Sequence, residues 1–95
     1  MALTWPDKDP DDILDYGLDL APLIGDTADS IVSSTATVVE GDIVVNQHAV
    51  VTGSQTTVTW LSGGEAGQAC SVRIRALTQL NRRVDQTVKI NVVER

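Results

Sequence analysis

The clearest pattern in the chain is a strict alternation of apolar and polar positions in its last third. Cys70, Val72, Ile74 and Ala76 fall on one side, and Ser71, Arg73 and Arg75 on the other. A period of two marks a half-buried β-strand. After a short loop from Thr78 to Arg82 the pattern resumes. There Val84, Val88, Ile90 and Val92 face inward, and Asp85, Thr87, Lys89 and Asn91 outward. Near the other end, Leu14, Tyr16, Leu18 and Leu20 alternate with Asp15, Gly17 and Asp19, until Pro22 and Gly25-Asp26 break the run. A helix over Asp11 to Leu23 competes with this strand, because Ile13, Leu14 and Leu20 partly fit a helical stripe. Tyr16 and Gly17 weigh against it.

Between these ends lie three runs rich in valine and threonine, whose branched Cβ atoms suit a pleated surface. They cover Ser30 to Val39, Ile43 to Val51 and Gln55 to Ser62. The second is expected to be interrupted near Asn46-Gln47-His48. Glu40-Gly41-Asp42 and Thr52-Gly53-Ser54-Gln55 read as turns. Short strands at such regular spacing predict an all-β fold, an immunoglobulin-like antiparallel β-sandwich of about six to seven strands, with a small closed barrel as the alternative. Gly63-Gly64-Glu65-Ala66-Gly67 reads as a chain crossing between sheets, where glycine supplies positive φ. Pro6 and Pro10 forbid a regular helix, so residues 1–12 read as an extended acidic leader and residues 13–95 as the sandwich domain. Twelve extended residues reach at most about 40 Å, enough to cross onto a neighbour. Removing them is expected to leave a folded monomer that assembles poorly.

Composition narrows the core. With no Phe, one Tyr and two Trp in 95 residues, the interior must be mostly aliphatic. There is no apolar run of the length that crosses a bilayer. The first residues have neither the basic nor the apolar region of a signal peptide, which predicts a cytoplasmic origin. Cys70, the one cysteine, falls on the inward file and reads as a small buried hydrophobe.

Charge is divided unevenly. Residues 1–50 carry ten acids and one base, Lys8, giving −9; residues 51–95 carry three acids and six bases, giving +3. Either strands of the two halves mix in one fold, or an acidic patch faces a basic patch on a neighbouring copy. No basic, aromatic-rich stretch suggests nucleic acid as a partner.

Catalytic and metal chemistry find little support. Asp7-Lys8-Asp9-Pro10-Asp11-Asp12 begins like a calcium loop, but Asp12 stands where such loops need glycine, and no distal glutamate follows. His48, the only histidine, has no cysteine or second histidine near it for zinc. The glycine corner lacks the Gly-Lys-Ser/Thr ending of a phosphate loop and precedes a strand. No cofactor is expected. Trp60 leaves two readings open: it is the main core aromatic, or Leu61 takes the core and Trp60 projects outward as an interface anchor.

Two passages resemble a known family. They are Lys8-Asp9-Pro10-Asp11-Asp12-Ile13-Leu14-Asp15-Tyr16 and Trp60-Leu61-Ser62-Gly63-Gly64-Glu65-Ala66-Gly67. With Asn81-Arg82-Arg83 and the closing strand, they look like the small proteins of tailed bacteriophages and prophages described as fiber–tail adaptors. The second passage is also similar to the E–F corner of bacterial immunoglobulin-like modules. Ala36 and Cys70 stand where the family pattern has aromatics. The resemblance implies a non-catalytic virion structural protein, assembled in the bacterial host cytoplasm, at the tail–fiber or head–tail junction. Its partners would be other virion proteins and further copies of itself, without nucleic acid or membrane. Contact residues are expected at Trp5, Asp9, Asp11 and Asp12 in the leader and at Trp60, Arg73 and Arg75 on the sheet. The alternative function is a carbohydrate- or cell-surface-binding module, which needs a platform of exposed aromatics.

Overall fold

The computed structural model describes residues 3–94. Its elements are β1 (Leu3–Thr4), β2 (Leu14–Asp19), α1 (Ala21–Ile24), β3 (Ile31–Glu40), β4 (Ile43–Val50), β5 (Thr56–Gly63), β6 (Ala69–Thr78) and β7 (Arg83–Asn91). The anticipated strands are all present. The helix that competed with β2 is reduced to one turn after it. Pro22 sits in the first positions of α1, where its missing N–H costs nothing, and Gly25 at φ 72° closes the turn by donating to Ala21 O.

The strands form two sheets, in the orders β1-β7-β6-β3 and β2-β5-β4. Apart from the parallel β1–β7 contact, all pairings are antiparallel. Lettered along the chain from β1 as A, this is B-E-D opposed to G-F-C, the order of an immunoglobulin-type sandwich. The expected interruption of β4 is a register shift between Val45 and Gln47. The glycine corner carries the chain from β5 in one sheet to β6 in the other, with Gly63, Gly64 and Gly67 at φ 74°, 88° and 84°. A Cβ on Gly64 would press on Val92 Cγ2 at 2.7 Å, so this corner requires glycine for space as well as for φ.

The inner faces supply the core. Tyr16, Leu18 and Leu20 come from β2 and its end, Ile43 from β4, Leu61 from β5, Cys70, Val72, Ile74 and Ala76 from β6, and Val88, Ile90 and Val92 from β7 and its end. Each aliphatic buried this way contributes about 1.5–3 kcal/mol. Thr57 and Thr59 share the inner face of β5 with Leu61. Ser71, expected outside, is buried instead. It lies opposite Glu40 of β3 and Lys89 of β7, at a place where β3 shifts register.

The first residues join this core. Trp5 is 7% exposed and stacks on Tyr16, with ring centroids 5.3 Å apart. Its Nε1 donates to Gly17 O at 2.9 Å, and its backbone N–H to Lys89 O. Lys8 bridges to Val92 and is wholly buried; its Nζ donates to Asp9 O at 2.7 Å and Gly63 O at 2.8 Å. Residues 3–12 are therefore sewn into both sheets. These contacts make the segment part of the packed sandwich, where the sequence reading set residues 1–12 apart as a leader.

Candidate interaction surfaces

The outer face of the larger sheet is cationic. Cross-strand register aligns Thr35, Arg75 and Asp85 in one row, and Thr37, Arg73 and Thr87 in the next. Arg83 and Lys89 extend the face along β7, and all four cations are exposed. Arg75 holds Asp85 with two bonds, Nε–Oδ1 at 2.9 Å and Nη2–Oδ2 at 3.1 Å. The bond from that guanidinium keeps the Asp85 carboxyl below the usual carboxylate range, against the opposing effect of desolvation. So exposed a pair adds little to stability. Arg73 has no ion pair among the described residues. A polar cavity of about 130 Å³ lies between Arg73, Arg75, Thr35 and Thr37.

The outer face of the smaller sheet has the opposite character. Trp60 sits at its centre, flanked by Asp15 on β2 and Gln47 on β4. Val58 and Ala49 form the adjoining row with Gly17. Asp15 and Asp19 are exposed, and none of β2, β4 and β5 carries a lysine or arginine. Leu61 takes the core and Trp60 remains 37% exposed, so Trp60 is not the core aromatic. Of the ten acids in residues 1–50, Asp15 and Asp19 lie on this face, while Asp26 and Asp29 pair with Arg82 at one end of the sandwich and Glu40 lies on β3.

The leader residues are divided. The Trp5 ring is spent within the domain's own core. Asp9 Oδ1 accepts from the Asp11 N–H at 2.9 Å, and Asp12 Oδ2 from the Asp9 N–H at 3.3 Å. These bonds close a local turn over Lys8 in which Asp9 and Asp12 are half-buried and Asp11 is exposed. The expected sites therefore occupy three separate places: Arg73 with Arg75, Trp60 alone, and the Asp9–Asp12 turn.

Two clusters had no counterpart in the sequence reading. Asp29, buried at one end of the sandwich, accepts from the Ser30 and Leu80 N–H groups and from Arg82, which also pairs with Asp26. Burial pushes the Asp29 carboxyl up, but the bonds from Thr78, Leu80, Ser30 and Arg82 outweigh it and hold it below the usual range. The loop after α1 is thereby tied to the β6–β7 turn. On the side where β3 and β4 meet, His48 Nε2 lies 2.7 Å from Ser34 Oγ and Nδ1 lies 2.8 Å from Thr59 Oγ1. A hydroxyl beside an imidazole has the spacing of a nucleophile and its base. Here the far ring nitrogen meets another hydroxyl and no carboxylate, and burial pushes the His48 pKa down. The ring is a poor base with nothing to steady its charged form, and its evident work is to tie β4 to β3.

Chemistry thus lies on two outer faces, and the fold and surfaces define a small sandwich-type binding module. Of the three aromatics, two are buried, so the aromatic platform of a carbohydrate module is not built. A family model described as podophage GP4 fiber-tail adaptor protein gp77 matches residues 8–91, and the chain belongs to that family. No curated protein matches it.

Proposed function

We propose that this chain is a non-catalytic virion structural protein that holds a tail protein and a fiber protein together, one on each outer face. One observation carries the reading: the cationic face of β3, β6 and β7 is turned away from the acidic face centred on Trp60. An adaptor has two different neighbours, and faces of opposite charge discriminate between two partners. Trp60 supplies a large anchor that a partner can desolvate. Arg73 supplies a cation with no carboxylate of its own among the described residues. The cationic face bears no aromatic on which a base could stack, which favours protein over nucleic acid as its partner. The chain serves in several copies per particle, assembled in the host cytoplasm.

The test is a phage carrying Trp60→Ser in this gene, imaged by electron microscopy beside a phage with the gene deleted. The account expects tails without fibers after deletion, and reduced fiber occupancy for Trp60→Ser. Normal fiber occupancy in the deletion phage would overturn it.

A further inference from the structure

Four strands form the edges of the two sheets, and three of them are blocked against further pairing. β1 is two residues long. β2 carries Asp15 and Asp19, and the Trp5 indole occupies Gly17 O. β4 is broken in its middle by the register shift between Val45 and Gln47. Short length, charge and bulges are the usual means by which sheet edges avoid adding strands. β3 has none of these along its centre. Its two register shifts lie at its ends, between Ile31 and Ser33 and between Val38 and Glu40, leaving Ser33 to Val38 in unbroken register with Leu77 to Val72. From Ile31 to Val39 it contains no charged residue and no proline. Six regular residues expose their outward N–H and C=O groups as a template for one more strand.

The surroundings state what that strand must carry. An added strand lies about 4.8 Å from β3, with its outward side chains beside Ser33, Thr35 and Thr37. Those three are small. The next file inward holds Arg73 and Arg75, roughly two strand spacings away. Between them lies the polar cavity of about 130 Å³ lined by Thr35, Thr37, Arg73 and Arg75. A second cavity of about 200 Å³ starts at Ser33 on this edge and crosses the sheet past Leu77 to Arg83. A carboxylate on the added strand reaches over a threonine to Arg73. Pairing with β3 of a second copy would instead bring two neutral edges together, leave Arg73 without a carboxylate and put two arginine files on one sheet face.

We infer that β3 accepts an extended segment of a partner virion protein, carrying carboxylates at alternate positions, as a fifth strand of the larger sheet. This deepens the adaptor reading by naming the kind of segment that the cationic face holds. The Trp60 face is untouched by it, so failure here and failure of that reading are separable.

The test uses the full chain, isotope-labelled, with two ten-residue peptides, one alternating threonine and glutamate and the other threonine and lysine. Amide hydrogen exchange is read at Ser33 to Val38. The glutamate peptide is expected to slow exchange at alternate residues of this stretch, and the lysine peptide to leave it unchanged. Arg73→Gln should weaken the glutamate peptide about fivefold, the upper range for one exposed ion pair. Thr35→Glu, which places an acid on the edge itself, should abolish protection while the exchange of β6 and β7 core amides stays as in the parent. Equal protection by both peptides, or none at millimolar peptide, overturns the inference. So does protection that rises with protein concentration alone, which would assign the edge to a second copy.

Discussion

Replacing Trp5 separates an ordered first segment from a detachable leader more sharply than any other change. Trp5→Ala removes a ring that is 7% exposed, its stack on Tyr16 at 5.3 Å and the indole bond to Gly17 O. Truncating a buried aromatic of this size costs about 3–5 kcal/mol, including the cavity left behind. A chain of 95 residues has roughly 5–14 kcal/mol of total stability to lose. With a urea dependence of about 1–1.5 kcal/mol per molar for so small a domain, the midpoint should fall by roughly 2–5 M. Trp5→Phe keeps the stack and loses the indole donor, and should cost about 1 kcal/mol beyond the smaller ring's lost area. Trp60→Ala is the comparison, because its ring is 37% exposed against 7% for Trp5 and its truncation should cost less. The assay is urea unfolding followed by far-ultraviolet circular dichroism. If Trp5→Ala shifts the midpoint no more than Trp60→Ala does, the first residues are not part of the core and the packing argument is wrong.

Gly41 sits at φ 92°, and a Cβ there would collide with Cys70 Sγ and lie 3.1 Å from Cys70 Cα. Gly41→Ala should therefore destabilise by about 2–4 kcal/mol, combining left-handed strain with overpacking, as thermal unfolding will show. Tyr16 Oη is buried with no bonding partner among the described residues. Tyr16→Phe should leave stability unchanged or raise it by about 1 kcal/mol in the same urea assay. Burial lowers the His48 pKa from its ordinary 6.5, so the unfolded chain binds the proton first. Stability from this group is complete above about pH 6.5 and is lost as pH falls from there through the folded value; His48→Gln should flatten that part of the stability–pH curve. Arg82→Ala removes the cation shared by Asp26 and Asp29, and should speed amide exchange at Ser30 and Leu80 more than in the centre of β6.

Much of the fold was legible because one physical signal recurs. In β2, β6 and β7, apolar side chains alternate with charged or polar ones, and the pleat translates that directly into inside and outside. The glycine corner was legible for a different reason, since three glycines in five residues point to positive φ. β5 was ambiguous because its inner file is Thr57, Thr59 and Leu61. Threonine can face either way, so the side of Trp60 waited on the packing. The role of residues 3–12 had no sequence signal. Trp5-Pro6 is not periodic, and a lysine among aspartates reads as solvated, whereas Lys8 is buried under carbonyl oxygens. Strand order was also hidden, because alternation within a strand does not say which strand lies beside it. The open edge of β3, the isolation of Arg73 and the cavities around it appear only once that order is known.

The central claim is that two faces of one sandwich hold two different partners. Its most direct test measures binding of the purified chain to the tail protein and to the fiber protein of the same particle, using Trp60→Ser and Arg73→Glu variants. The account predicts that each variant weakens one partner by at least about tenfold, roughly 1.4 kcal/mol, and leaves the other within twofold. Both partners binding both variants like the parent chain would contradict it.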